Sequence, residues 1–214
     1  MPAADPRPAH VPFGRPALYR LKQFVIEVVI WRVVLSGLFR LHPRPMPSLR
    51  ETFVGRRVLV AACGPGHVFT GPPVEGADEV VAFDLSPHFA AACAQHQPQW
   101  HVYVGDVLRI PHPDKHFDVS VLYSALHHIP ADAALVLAEL ARVTRDHVVL
   151  VEGIVPPTGL LRRALLLWYR FVDGGHHYYT REELDGCFQQ LGLRPESAQL
   201  YSPLRHMLLA VLNP

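Results

Sequence analysis

The sequence predicts a doubly wound α/β domain, and three observations predict it. Short β-branched runs alternate with helical stretches from Arg57 onward, the signature of a parallel sheet covered by helices. The ends of successive runs carry glycines or a carboxylate, so chemistry gathers along one edge. With 214 residues, half of them apolar and only 18% charged, the chain is long enough for one large core and too apolar for disorder.

Residues 1–16 hold five prolines (Pro2, Pro6, Pro8, Pro12, Pro16), which leave only an extended lead-in. The mixed charges there do not make a secretory signal. Residues 17–42 are strongly apolar and helical in composition, but Lys22, Glu27, Arg32 and Arg40 interrupt the run before it reaches the length of a membrane span. Arg20, Gln23 and Glu27 fall on one side of such a helix and Arg32, Ser36 and Arg40 nearly opposite, so no single stripe stays apolar. The segment reads as a packed accessory helix, as a lid over a pocket, or as a membrane-surface anchor. His42-Pro43-Arg44-Pro45-Met46-Pro47 ends it in a stiff connector.

Strands are expected at 57–62, 79–84, 100–104, 117–123 and 147–152, with helices at 86–97 and 130–143 between them. Leu135, Leu137, Leu140 and Val143 set the period of the second helix. Beyond Glu152 come an apolar stretch at 158–172, a helix at 180–191 opened by a Thr180-Arg181-Glu182-Glu183 capping box, and two β-like stretches at 194–200 and 206–212. No internal repeat is present.

Twenty Lys+Arg against 19 Asp+Glu give a net charge of +1, which lacks the basic footprint of a nucleic-acid binder. Cys63, Cys93 and Cys187 form no CxxC pair, which argues against a disulfide framework and a thiolate zinc site and points to a reducing, cytoplasmic location. His67, His128, His176 and His177 lack a helical i, i+4 spacing with a carboxylate, so no metal site is expected. A homo-oligomer is left open.

The segment RVLVAACGPG ends a strand in Ala62-Cys63-Gly64-Pro65-Gly66, where glycines let the backbone turn sharply and approach a ligand. Eighteen residues after Gly66, Asp84 closes the next strand, where a carboxylate can accept both hydroxyls of a ribose. In VGDVLRIPHPDKHFDVSVLYSALHHI, Asp106 stands just past the third strand, and a fourth begins at Phe117-Asp118. Three successive strand ends therefore converge on one crevice.

Residues 57–152 resemble the class I S-adenosylmethionine-dependent methyltransferases of the small-molecule type, and HHYYTREELDGCFQQLGL extends the likeness to roughly residue 200. The resemblance implies a Rossmann-like seven-stranded sheet with helices on both faces over residues 48–214, and a Pro-rich tail with a helical extension over 1–47. It implies that Ala62, Gly64 and Gly66 approach the cofactor, that Asp84 holds the ribose, that Leu85 and Val107 flank the adenine, and that Asp106 accepts from its amino group. Ser124 and His127 then lie beside the transferred methyl. The implied activity is methylation of a small, apolar molecule on oxygen, nitrogen or carbon, as in biosynthesis, with no metal. After the fourth strand, Tyr123-Ser124-Ala125-Leu126 lacks the tetrad of nucleic-acid amino-methyltransferases.

Two positions depart from the family pattern. Val60 stands where an acidic residue is usual, and Ala62 replaces the first glycine of the turn, which alanine suits only at negative φ. Gly71-Pro72-Pro73 predicts a shortened or displaced first helix. These departures keep two alternatives: a methyltransferase-like partner or binding module without catalysis, and a protein using the cofactor for another reaction such as cyclisation. His127 reads equally as a general base and as a hydrogen-bonded structural histidine. Trp168, Tyr169, Tyr178 and Tyr179 read as an aromatic pocket or as core.

Overall fold

In the computed structural model, seven strands form one sheet in the order β3-β2-β1-β4-β5-β7-β6. The structure describes residues 49–66, 74, 76–172, 175–202 and 207–214. All of them fall within one unit, Arg44–Pro214. The expected extension at 1–47, with its 17–42 helix, lies outside the described residues, and so does Gly71-Pro72-Pro73.

A short helix α1 (Arg50–Phe53) precedes β1 (Arg57–Ala61), β2 (Glu79–Asp84), α2 (Pro87–His96), β3 (His101–Val104) and β4 (Phe117–Tyr123). A 3-10 turn at Leu126–His128 leads to α3 (Ala133–Val143), β5 (Thr144–Gly153), α4 (Gly159–Val172), α5 (Arg181–Gln190), β6 (Arg194–Ser202) and β7 (Met207–Asn213). β1 to β5 pair in parallel, and β7 runs antiparallel to both β5 and β6. This is the α/β class the alternation of elements predicts. Among the described residues, each predicted strand and helix forms within a few residues of its expected bounds.

The parallel strands are apolar because helices cover both of their faces. Alternate residues of β1 feed two cores: Leu59 and Ala61 pack on the side that holds α3 residues Leu137 and Leu140. Val58 and Val60 pack on the other, with Cys93 of α2 and Trp100. Local signals fix the helix starts. Ser86 caps α2, its hydroxyl accepting from the Phe89 amide, and Pro87 occupies the first helical position. The Thr180–Glu183 capping box at α5 forms as expected.

β5 begins at Thr144, three residues before the expected start. The polar run Thr144-Arg145-Asp146-His147 hides this extension in the sequence. Arg145 pairs with Asp118, Asp146 with Arg56, and the Thr144 hydroxyl bonds that of Ser120, which ties the run to its neighbours.

Candidate active site

The carboxyl ends of β1, β2, β3 and β4 meet where the strand order reverses, the place at which open α/β sheets bind ligands. Backbone bonds join these ends. The Cys63 amide donates to the Phe83 carbonyl at 2.9 Å, and the Gly105 amide donates to that of Asp84 at 3.0 Å.

After β1 the chain turns through Ala62 (φ +49°), Gly64 (φ +56°) and Gly66 (φ +80°). A Cβ on Gly64 would meet nothing within 4 Å, so the turn leaves open space above its backbone. Ala62 does not meet the condition of negative φ under which alanine suits this turn. Alanine sits in the left-handed region because the backbone reverses immediately after the strand, at a cost of about 1 kcal/mol. Ser124, at the end of the adjacent strand β4, also has positive φ (+50°), and its amide donates to the Val151 carbonyl. Two non-glycine residues in this sparsely populated region thus stand at neighbouring strand ends, a distribution typical of functional sites.

Asp84 is 8% exposed, and its carboxylate accepts from the Gly64 amide (2.9 Å) and the Ser86 amide (2.8 Å). An ionised carboxylate offers about four acceptor sites, so these two amides leave capacity for two hydroxyls. Burial pushes the Asp84 carboxyl above its ordinary range; the amides of Ser86 and Gly64, and then His128, pull the other way. Leu85 is exposed beside Asp84, and Val107 is buried past the end of β3. Asp106 is exposed, one of its oxygens accepting from the Leu108 amide at 2.9 Å. The edge can therefore receive a ribose diol at Asp84 and a flat ring against apolar walls. Val60, in contrast, is fully buried in the apolar core of the α2 side.

His127 stands in the 3-10 turn after β4 and is buried. Its Nδ1 faces Oε1 of Glu152, which is 0% exposed near the end of β5. Glu152 also accepts from the Leu126 amide through Oε2 and from the Gly153 amide through Oε1, both at 2.9 Å. Three donors thus converge on one buried carboxylate, the condition under which a buried charge is tolerated. A carboxylate that accepts here calls for the proton on Nδ1, which turns Nε2 to the far side of the ring.

The ring of Tyr178 stacks on His127 with centroids 5.3 Å apart, and Tyr169 of α4 stacks on Tyr178 at 4.9 Å. The His176 and His177 amides donate to the His127 carbonyl, and the Gly175 amide donates to the Tyr178 hydroxyl. A Cβ on Gly175 would come within 2.7 Å of both His127 Cδ2 and that hydroxyl, so the close approach admits only glycine. Tyr178 is buried between His127 and the half-buried Tyr169, and Tyr179 packs into the core. The side chain of Trp168 lies outside the described residues. Among the described residues, no cluster of three or more His, Cys, Asp or Glu could hold a metal. Glu152 escaped the sequence reading; a carboxylate closing the apolar run HVVLVEG was the available signal.

The chain shares its α/β fold with solved methyltransferase structures. Within it, residues 59–151 match the family described as methyltransferase domain. The chain is similar to a malonyl-[acyl-carrier protein] O-methyltransferase of Serratia marcescens, at 32% identity over 123 residues, covering 58% of this chain and 47% of that protein. It is similar also to a 2-phytyl-1,4-naphtoquinone methyltransferase of Synechococcus elongatus, at 33% over 119 residues, covering 51% and 50%. The chain thus spans about half the length of the curated relatives it matches. Among solved structures, a protein of Pyrococcus horikoshii superposes with a TM-score of 0.68 at 17% identity, covering 94% of this chain and 100% of that one. A geranyl diphosphate methyltransferase in complex with SAM gives a TM-score of 0.68 at 15%, covering 84% and 88%.

Proposed function

We propose that this protein binds S-adenosylmethionine along the β1–β4 edge and methylates a small, apolar acceptor on oxygen, nitrogen or carbon. The observation that carries the reading is Asp84: a buried carboxylate, held by two backbone amides beside an open glycine turn, at the strand end where a ribose binds. When bound, the cofactor supplies an electrophilic methyl group on its sulfonium.

The chain's own residues do the rest. Ala62, Gly64 and Gly66 give the backbone its close approach, Asp84 accepts from the ribose hydroxyls, Leu85 and Val107 flank the adenine, and Asp106 accepts from its amino group. Ser124 lines the floor at the end of β4. Glu152 orients His127, whose Nε2 takes the proton from the acceptor's hydroxyl, amine or carbon acid. Tyr178 holds the imidazole plane by stacking. Positioning of this kind accounts for up to roughly 7 to 11 kcal/mol of barrier lowering.

Support for a small acyl or quinone acceptor comes from the relatives, whose names describe O-methylation of malonyl-[acyl-carrier protein] and methylation of 2-phytyl-1,4-naphtoquinone. Support for a cytoplasmic location comes from three cysteines that stand as free thiols. Among the described residues, no helix is long and apolar enough to cross a membrane.

Val60 favours a second reading. Fully buried among apolar side chains, it offers no charge to the cofactor's ammonium group, which suits a cofactor-binding protein that does not transfer methyl groups, or one that drives another reaction such as cyclisation. Calorimetric titration with S-adenosylmethionine and with its demethylated product, followed by an assay for methyl transfer to quinol and thioester acceptors, separates the readings. Binding with transfer supports the first, and binding without transfer supports the second.

A further inference from the structure

We propose that α4 docks this protein onto a bilayer surface bearing anionic lipid. The helix GLLRRALLLWYRFV contains three arginines and no acidic residue, in a chain whose net charge is only +1. At about 100° per residue, Leu160, Arg163, Ala164 and Leu167 share one face, with Leu161 at its margin. All five are exposed: Leu160 at 82%, Leu167 at 74% and Leu161 at 52%, with Arg163 and Ala164 in the exposed class as well.

The opposite face turns inward. Tyr169, half a helical turn around from Leu160, stacks on Tyr178, and Arg162 donates to the Pro156 carbonyl at 2.9 Å. Leu165 and Leu166 are half-buried. The leucine surplus therefore lies outside the fold rather than in its core. An exposed leucine stripe on a charge-balanced helix would call for no partner class in particular; this one carries a cation. Arg163 is exposed and lies on the same stripe as Leu160 and Leu167.

That pattern is complementary to a headgroup layer. Leucines enter the acyl boundary while Arg163 beside them meets lipid phosphates. A second copy of the chain fits less well. A two-fold contact sets the same patch against itself, which would bring arginine against arginine with no carboxylate in either helix. The inference concerns where the protein sits and stands whether or not it transfers methyl groups.

The test is co-sedimentation of the full chain with phosphatidylcholine vesicles, with and without phosphatidylglycerol. Wild type is expected to sediment with the anionic vesicles, less so as salt rises, and Leu160→Glu/Leu167→Glu to reduce partitioning about tenfold or more. Arg163→Glu, at an exposed position that leaves the fold intact, is expected to weaken the dependence on phosphatidylglycerol. Melting curves and light scattering accompany each variant. Wild type that stays in the supernatant overturns the proposal, as does a double variant that binds like wild type. Wild type that forms dimers abolished by the double variant, without binding vesicles, assigns the face to a second copy. A double variant that melts well below wild type, where wild type ignores vesicles, assigns it to burial within the chain. Both results also overturn it.

Discussion

Glu152 of β5 and His127 of the turn after β4 face each other through Oε1 and Nδ1, and the same carboxylate holds the Leu126 and Gly153 amides. The contact thereby fixes both the turn and the imidazole tautomer. Nitrogen-detected NMR of the histidine rings should find the proton of His127 on Nδ1 in wild type. Glu152→Gln removes the anionic acceptor, so the tautomer should become mixed or reversed, with a stability loss of about 1 to 3 kcal/mol. With a methyl acceptor present, His127→Ala should lower kcat by roughly 100-fold or more and leave cofactor affinity nearly unchanged. An unaltered tautomer in Glu152→Gln would remove the positioning role.

Asp84 predicts a pH dependence. Its carboxyl is held above the ordinary range by burial, and the ionised form is the one that accepts hydroxyls. Cofactor affinity should fall as pH drops through that raised value, earlier than a solvated aspartate would allow. The sign for folding is opposite: a raised carboxyl pKa contributes stability at low pH that is lost as pH rises through the folded-state value. Asp84→Asn keeps one acceptor oxygen and removes the buried charge. It should therefore weaken cofactor binding about ten- to hundredfold, abolish the acid dependence and leave the melting temperature at neutral pH near that of wild type. Calorimetric titration across the acid range, paired with melting curves, checks both signs.

Backbone geometry separates two small substitutions. Ala62 has φ +49°, so Ala62→Gly relieves strain and should raise stability by about 1 kcal/mol, with cofactor affinity held or improved. Gly175→Ala acts in reverse. Its Cβ would come within 2.7 Å of His127 Cδ2, so it should displace the imidazole and its stacked tyrosine, lowering turnover far more than cofactor affinity. A Gly175→Ala variant with wild-type turnover would show that the 175–178 segment does not position the base.

Periodicity and turn chemistry made most of this fold legible. Arg57–Ala61 and Glu79–Asp84 read as strands because β-branched runs end at glycine or aspartate, and Thr180 with Glu183 announces α5. Polar Thr144-Arg145-Asp146-His147 concealed the start of β5, because ion pairs across the sheet stabilise those extended residues and such pairs leave no local pattern. The placement of Asp84 beside the glycine turn was legible, because one β-α-β unit sets its distance from that turn. The His127–Glu152 contact was not. It joins residues 25 positions apart through the register of β4 and β5, so it exists only once the sheet has formed. Ala62 was legible as an oddity, but its φ was not, since the turn imposes it and not the side chain.

The measurement closest to the central claim is calorimetric titration of the wild-type protein with S-adenosylmethionine and, separately, with its demethylated product. One-to-one binding of both ligands, lost or greatly weakened in Asp84→Asn at unchanged melting temperature, is the predicted result. No heat with either ligand up to millimolar concentration, from protein that melts cooperatively, would contradict it.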